Sequence, residues 1–209
     1  MLKLMEAKRL NLAVLLSGRG SNFLALLRAG LNKELNAAIA VVITDNPDAV
    51  GYQKALEAGI PAYVIQRGHF QSKAEFEQKI IHKLQEANTD MVVLAGFMRI
   101  IGKTLIQAYP NRILNIHPSL LPAFPGLNAQ KQAWDYGVRY SGCTVHLVDE
   151  GMDTGPIVAQ AAVPVLPQDT EDTLSERILE TEHKLYAQAV QLFAEGRVHL
   201  QGRKVYIQE

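Results

Sequence analysis

Short apolar runs alternate with longer stretches of helical periodicity through the first half of the chain. The apolar runs predict strands at residues 10–16, 37–43, 62–65, 91–95 and 112–116. The stretches between them predict helices, the first of which spans residues 22–29 and stops at Gly30. This alternation is typical of an α/β fold with a Rossmann-like, mainly parallel sheet flanked by helices.

After His117 the loops lengthen, and the elements become less regular. The pattern predicts a helix at about 129–136, strands at 142–148 and 156–163, and a closing hairpin at 198–200 and 204–207. Thr173 and Glu176 match a capping box that would open a helix reaching about residue 194. With no repeat or linker, we expect residues 1–209 to form a single domain, with halves of about 1–110 and 111–209.

Composition narrows the class of protein. Apolar residues make up 48% and charged residues 20%, which excludes a disordered chain. The 21 basic and 21 acidic residues cancel, so there is no general attraction for a nucleic acid or a membrane surface. The longest apolar run, 91–98, is far shorter than the roughly 20 residues that cross a bilayer. Together with the single cysteine, Cys143, these features predict a cytoplasmic protein whose partners are small molecules.

The loop after the first strand, which contains Gly18, Gly20, Ser21 and Asn22, is the first candidate site. Amides at a helix N-terminus bind anions, and glycine allows a phosphate to approach closely. Phe23 replaces the third glycine of the dinucleotide motif, so a nucleoside monophosphate is favoured over a dinucleotide. The alternative is a plain strand-to-helix turn that Ser21 or Asn22 caps.

Asn115 and His117 form the second candidate, at the end of the fifth strand. They lie two positions apart and therefore point to the same side of a strand. An amide beside an imidazole offers two hydrogen-bond donors to one developing oxyanion. The alternative is a satisfied core histidine next to an asparagine in a turn.

The acidic loop from Asp149 to Asp153 is the third candidate. It is either a surface turn or the source of a carboxylate that faces His117 and assists proton transfer. Asp45 follows the second strand but reads as a turn residue without a functional role. The six histidines lack metal-ligand spacing, so no metal site is expected.

Three segments carry a resemblance to a known family. They are residues 17–22 (SGRGSN), 92–100 (VVLAGFMRI) and 114–122 (LNIHPSLLP), and the acidic loop and residues 180–183 (ETEH) complete them. On these motifs the chain resembles the folate-dependent phosphoribosylglycinamide formyltransferases of purine synthesis, along nearly its whole length. The resemblance implies a formyltransferase fold and formyl transfer from 10-formyltetrahydrofolate, a co-substrate, to the amine of glycinamide ribonucleotide.

The resemblance also implies the catalytic residues. Asn115 and His117 would contact the formyl oxygen, with His117 as the general acid. Asp153 would hold the charge of His117 and assist proton transfer. No metal takes part.

Binding residues follow from the same resemblance. Gly20, Ser21 and Asn22 would hold the ribonucleotide phosphate, and Glu182 its sugar or glycinamide end. The folate would contact a larger set: Lys73, Met98, Arg99, Ile100, Ile101, Asn115, Asp149, Glu150, Gly151, Met152 and Asp153. Asn128 and Gln130 stand where some members of the family carry histidine, so the segment after Gly126 departs from the pattern.

Three other functions remain as alternatives. Formyltetrahydrofolate hydrolase and methionyl-tRNA formyltransferase share the catalytic trio, although the first usually carries an extra N-terminal domain and the second a basic C-terminal domain. A nucleotide-binding module without catalysis would keep the glycine loop but has no need of Asn115, His117 and Asp153. The protein is expected to be a monomer or a homodimer.

Overall fold

The computed structural model describes residues 9–209, in which seven strands form one sheet and two more form a separate hairpin. The sheet strands are β1 (Leu10–Leu16), β2 (Ala37–Thr44), β3 (Ala62–Val64), β4 (Met91–Leu94), β5 (Ile113–His117), β6 (Tyr140–Leu147) and β7 (Ile157–Pro164). The hairpin strands are β8 (Val198–Gln201) and β9 (Lys204–Ile207). The order β3-β2-β1-β4-β5-β6-β7 places a topological switch point between β1 and β4, where open α/β sheets bind ligands.

The direction of the strands changes within the sheet. Strands β1 to β5 run parallel, whereas β6 is antiparallel to β5 and β7 is antiparallel to β6. The predicted α/β fold with a mainly parallel, helix-flanked sheet is therefore confirmed. Antiparallel strands can be connected without a crossover helix. The segments that connect β5, β6 and β7 can therefore form long loops.

Helices cover both faces of the sheet. They are α1 (Ser21–Leu31), α2 (Val50–Glu57), α3 (Lys73–Glu86), α4 (Lys103–Ala108), α5 (Ala129–Tyr136) and α6 (Glu171–Ala194), with a short 3-10 helix at Arg67–His69. Leu12 packs in one cluster with Tyr186 of α6, whereas Leu15 packs in another with Ile80 of α3. Burial on both faces explains the continuous apolar run of β1. None of the helices within residues 9–209 has both the length and the apolar character needed to span a membrane.

Two predicted helix boundaries are wrong. Helix α1 continues through Gly30 to Leu31, and a Cβ on Gly30 would lie 3.2 Å from the Ala37 carbonyl oxygen. Glycine therefore serves close packing there rather than helix termination. Helix α6 begins at Glu171, because the capping box is formed by Thr170 and Thr173 and not by Thr173 and Glu176.

Tyr186 secures the strand ends beneath the candidate site. Its buried hydroxyl lies 2.9 Å from the Leu94 carbonyl oxygen and 3.0 Å from that of Leu114, in β4 and β5. Burial raises the pKa of this phenol, so it remains a neutral donor. Helix α6 is thereby fixed to the two strands from which the central loops of the site emerge.

Candidate active site

Four polar side chains from β5 and β6 share one face of the sheet. Leu114 and Ile116 face the cluster of α6, so Asn115 and His117 project from the opposite face. Asn115 pairs with His146 in the register of β5 and β6, and His117 pairs with Thr144. The loop after β6 returns over this face and completes a polar cluster.

His117 and Asp153 meet in this cluster. His117 Nδ1 lies 3.3 Å from Asp153 Oδ2, and both side chains are largely buried. On the other side of the ring, Nε2 donates to the Phe124 carbonyl oxygen at 2.8 Å. Since both ring nitrogens face acceptors, a doubly protonated ring has a partner for each proton. The third candidate loop is thus no plain surface turn, because its carboxylate contacts the histidine.

His146 belongs to the cluster as well, although no sequence motif identifies it. Its Nδ1 faces the Leu147 carbonyl oxygen at 3.0 Å, which places a proton on that nitrogen. Its Nε2 can then accept from Asn115 Nδ2, at 3.1 Å. Asp153 Oδ1 lies 3.7 Å from the same Nε2, which is beyond hydrogen-bond range. His146 therefore orients the Asn115 amide beside Asp153.

The surroundings of Asp153 favour its ionised form. Burial opposes ionisation, but the donors around the carboxylate, which include the Gly126 amide, and the charge of His117 outweigh it and lower the pKa of Asp153. The Gly126 amide donates to Asp153 Oδ2 at 2.8 Å. The site thus combines a stable carboxylate with a histidine that can carry the opposite charge.

Contacts within the acidic loop hold Asp153 in place. Asp153 has a φ of 54°, a left-handed conformation that is uncommon for a residue with a side chain. Asp149 accepts from the Thr154 hydroxyl at 2.6 Å and from the Gly151 amide at 3.1 Å. A Cβ on Gly155 would collide with the Leu147 carbonyl oxygen, so the chain must pass close to β6 there.

In the glycine loop, the backbone at Gly20 packs closely against a neighbouring segment. Gly20 has a φ of 73° and directly precedes α1, whose N-terminus has no side-chain cap. A Cβ on Gly20 would lie 2.8 Å from the Cα of Gly51. Ser21 and Asn22 are the first two residues of α1, so neither side chain caps the helix. The alternative of a plain turn capped by one of them is therefore wrong. Their amides are among those that a helix leaves without a partner inside the helix.

Asn22 of α1 and Glu182 of α6 are far apart in the sequence but in contact in the structure. Asn22 Nδ2 donates to Glu182 Oε2 at 2.8 Å, in a buried contact. Burial raises the pKa of Glu182 to about 7, against the lowering effect of Asn22. Among residues 9–209, Asn22 Oδ1 is one of the few buried polar atoms without a hydrogen-bond partner. The pair offers a carboxyl group and a free acceptor beside the glycine loop.

The segment after β4 forms an exposed apolar rim. Met98, Arg99 and Ile100 are exposed, and Ile101 is buried. Glu77 of α3 fixes the end of this segment, because its carboxylate accepts from the amides of Gly102 at 2.5 Å and Leu105 at 3.2 Å.

Three further predicted folate contacts lie at the start of α3 and in the acidic loop. Lys73 lies beside the segment after β4, since a Cβ on Gly102 would come within 2.6 Å of its Cε. In the acidic loop, Glu150 is exposed, and within the part of the chain that the structure describes its side chain makes no hydrogen bond. Met152 reaches the Gly126 turn, where its Sδ would lie 3.3 Å from a Cβ on that glycine.

Among residues 9–209, no group of three or more histidine, cysteine or acidic side chains is placed to hold a metal ion. The polar groups that the site does offer are amides, imidazoles and carboxylates. These groups suit hydrogen bonding and proton transfer.

Comparison with known proteins gives a consistent result. Residues 10–190 match the family model described as formyl transferase. The phosphoribosylglycinamide formyltransferase of Bacillus subtilis is 46% identical over 178 residues, which cover 85% of this chain and 91% of that protein. The trifunctional purine biosynthetic protein adenosine-3 of Drosophila melanogaster is 43% identical over 93% of this chain. The chain spans only 14% of the length of that relative.

Comparison with solved structures also finds formyl-group enzymes. Glycinamide ribonucleotide transformylase 1 of Symbiobacterium toebii superposes with a TM-score of 0.96 at 45% identity, covering 99% of this chain and 98% of that one. A formyltetrahydrofolate deformylase of Pseudomonas syringae superposes with a TM-score of 0.89 at 27% identity, covering 97% of this chain and 67% of that one.

Proposed function

The chain belongs to the formyl transferase family, and on that basis we propose that it transfers the formyl group of 10-formyltetrahydrofolate to the amine of glycinamide ribonucleotide. The products are formylglycinamide ribonucleotide and tetrahydrofolate, in de novo purine biosynthesis. The observation that carries the proposal is the contact between His117 and Asp153, 3.3 Å apart, beside the oriented amide of Asn115. The names of the bacterial relatives support the choice of acceptor.

Asn115, His117 and Asp153 are the catalytic residues of the proposed reaction. The amine nitrogen attacks the formyl carbon and generates a tetrahedral intermediate with a negative oxygen. Asn115 and the charged His117 donate to that oxygen, which takes the place of the Phe124 carbonyl at Nε2. Asp153 faces Nδ1 with its negative charge and balances the positive ring in this step.

Proton transfer completes the reaction. The nitrogen that attacked becomes positively charged and must lose a proton, whereas the departing N10 of the folate must gain one. Asp153 relays this proton through a water molecule, and the bond between the formyl carbon and N10 then breaks. Because both ligands are held side by side, orientation supplies a large part of the rate.

The ribonucleotide occupies the glycine loop in this proposal. The amides of Gly20, Ser21 and Asn22 bind its phosphate, which the N-terminal end of the α1 dipole also favours. Glu182 accepts from the sugar or the glycinamide end. Both halves of the chain, about 1–110 and 111–209, therefore contribute to one ligand site.

The folate lies between the segment after β4 and the acidic loop. Met98, Arg99, Ile100 and Ile101 provide one wall, Asp149, Glu150, Gly151 and Met152 provide the other, and Lys73 adds a positive charge at the rim. The exposed apolar side chains at positions 98, 100 and 152 give a flat ring a surface to cover.

The remaining features of the proposal concern cofactors and partners. 10-formyltetrahydrofolate is the co-substrate, and the chemistry uses no metal. The ligands are small molecules, with neither a nucleic acid nor a membrane as a partner, and the protein acts in the cytoplasm as a monomer or homodimer. Residues 1–209 act as a single formyltransferase domain.

Hydrolysis of 10-formyltetrahydrofolate is the second candidate. The structural match to a formyltetrahydrofolate deformylase favours it, because the same fold can present water instead of an amine to the formyl carbon. The two reactions differ in their need for the ribonucleotide.

An assay of tetrahydrofolate release distinguishes the two. Purified protein is mixed with 10-formyltetrahydrofolate, with and without glycinamide ribonucleotide. We expect release only when the ribonucleotide is present. Release without it would identify a hydrolase, and no release in either case would contradict both functions.

A further inference from the structure

Asp45 lies where the loops after β1, β2 and β4 meet. It directly follows β2, and its side chain is only 6% exposed. One carboxylate oxygen, Oδ1, accepts from the Ser17 hydroxyl at 2.5 Å. The other, Oδ2, accepts from Arg99 Nε at 2.6 Å. From the sequence alone, Asp45 reads as a turn residue without a functional role.

Ser17 extends the connection to the backbone of the segment after β4. Its hydroxyl oxygen accepts from the Met98 amide at 2.9 Å while its proton is directed to Asp45. Its own amide donates to the Gly96 carbonyl oxygen at 3.1 Å. One buried carboxylate thus fixes the start of the glycine loop and the segment that begins at Met98.

The contact between Asp45 and Arg99 adds little stability. The Arg99 side chain is 51% exposed, and an ion pair with so exposed a member contributes little to folding. The groups that Asp45 joins instead lead into the two proposed ligand sites. Ser17 precedes the loop for the ribonucleotide phosphate, and Met98 and Arg99 begin one wall of the folate site.

We propose that Asp45 is a positioning residue that couples the two ligand sites. The inference rests on the proposed function, since it requires both ligands. A ligand that fixes the glycine loop also fixes Ser17, and through Asp45 it fixes Met98 and Arg99. The second ligand then meets a segment that is already ordered, so each ligand raises the affinity of the other by the same factor.

The test measures this factor directly. Calorimetric titration gives the Kd of 5-formyltetrahydrofolate, which carries no formyl group on N10, with and without saturating glycinamide ribonucleotide. In the unmodified protein we expect the ribonucleotide to lower this Kd about fivefold or more. Asp45→Ala should reduce the factor to about twofold or less, and the reverse titration should give the same factors.

Controls separate coupling from loss of charge or of structure. Asp48→Ala removes a carboxylate from the same turn, but Asp48 is exposed, so the factor should not change. Asp45→Asn retains one acceptor and should restore part of the factor. Ser17→Ala removes the hydroxyl that joins Asp45 to the Met98 amide, and it should also lower the factor. Thermal unfolding shows whether each variant folds, so Ser17→Ala provides the test if Asp45→Ala does not fold.

Two results would overturn the proposal: no coupling in the unmodified protein, or full coupling in a folded Asp45→Ala or Ser17→Ala variant. Failure of the proposed function is seen separately, as absence of formyl transfer by the unmodified protein with both substrates present.

Discussion

The glycine loop and the polar cluster are built from different parts of the chain. At Gly20, Ser21 and Asn22 the site presents mainly backbone amides, and a Cβ on Gly20 would come within 2.8 Å of Gly51. Around His117 and Asp153 it presents side chains, which meet from segments far apart in sequence. Substitutions that add atoms should therefore disturb the glycine loop most. Substitutions that change a functional group at constant size should disturb the polar cluster most.

The largest effect should follow a change of chemistry in the polar cluster. Asp153→Asn keeps the shape of the side chain but removes the charge that supports His117. We expect kcat to fall about a hundredfold to ten-thousandfold, the range that a proton-transfer group contributes. Steady-state kinetics measure the fall, and titration with glycinamide ribonucleotide should show its Kd unchanged within about twofold.

Asp48→Asn is the matched control, because it makes the same chemical change at an exposed side chain outside both proposed ligand sites. Its kcat should stay close to that of the unmodified protein. An Asp153→Asn variant with nearly normal kcat would remove Asp153 from the catalytic residues.

Glu182 contributes a side chain, rather than a backbone amide, to the region around the glycine loop. Burial raises the pKa of its carboxyl group from 4.5, the ordinary value for glutamate, to about 7 in the folded state. A raised pKa stabilises the folded state fully below the unfolded pKa, and this contribution is lost as the pH rises through the folded pKa. The loss between pH 4.5 and pH 7 should be about 3 kcal/mol.

Urea unfolding at pH 4.5 and pH 8 measures this contribution. In Glu182→Gln the fall in unfolding free energy with rising pH should be smaller by that amount than in the unmodified protein. Glu180→Gln alters an exposed residue of the same helix and should leave the fall unchanged. Equal pH dependence in all three proteins would show that Glu182 titrates normally.

Adding one carbon should disturb the glycine loop. Gly20→Ala places a Cβ against Gly51 at a φ of 73°, and the loop must shift to accommodate it. We expect the affinity for the ribonucleotide to fall about tenfold, which corresponds to a strain of about 1.4 kcal/mol. At saturating ribonucleotide, kcat should stay within about twofold of normal.

Gly18→Ala makes the same chemical change in the same loop. A Cβ on Gly18 would have no atom within 4 Å, so its affinity for the ribonucleotide should be close to normal. Equal losses in the two variants would mean that the space around Gly20 does not matter.

The smallest effect on kcat should come from Arg203, which contacts the acidic loop from outside the polar cluster. Arg203, at the tip of the β8–β9 hairpin, donates to the Thr154 carbonyl oxygen at 2.5 Å, next to Asp153. Arg203→Ala should lower kcat about twofold to fivefold, as expected from the loss of one exposed hydrogen bond. Arg203→Lys should recover part of the rate, and Lys204→Ala, at the neighbouring exposed position, should have no effect. Unchanged kcat in Arg203→Ala would show that the hairpin does not support the loop.

The same contrast explains how much the sequence predicts. Strand and helix positions in the parallel half follow from local periodicity, and the glycine loop is contiguous. Errors arose where a residue acts at long range: Gly30 packs against Ala37 instead of ending α1.

The polar cluster was only partly visible in the sequence. Asn115 and His117 could be paired by strand spacing, but their contact with Asp153 depends on the path of the acidic loop. His146 could have been found from its register opposite Asn115, which requires knowing that β6 is antiparallel to β5. Asp45 was missed because its partners, Ser17 and Arg99, follow two other strands of the sheet.

The fate of the formyl carbon distinguishes transfer to the ribonucleotide from every other outcome. Protein, glycinamide ribonucleotide and 10-formyltetrahydrofolate labelled with ¹³C in the formyl group are mixed, and the products are analysed by mass spectrometry. The account predicts the label on the amine of the ribonucleotide, in amounts equal to the tetrahydrofolate released. Label found as free formate, with the ribonucleotide unchanged, would contradict it.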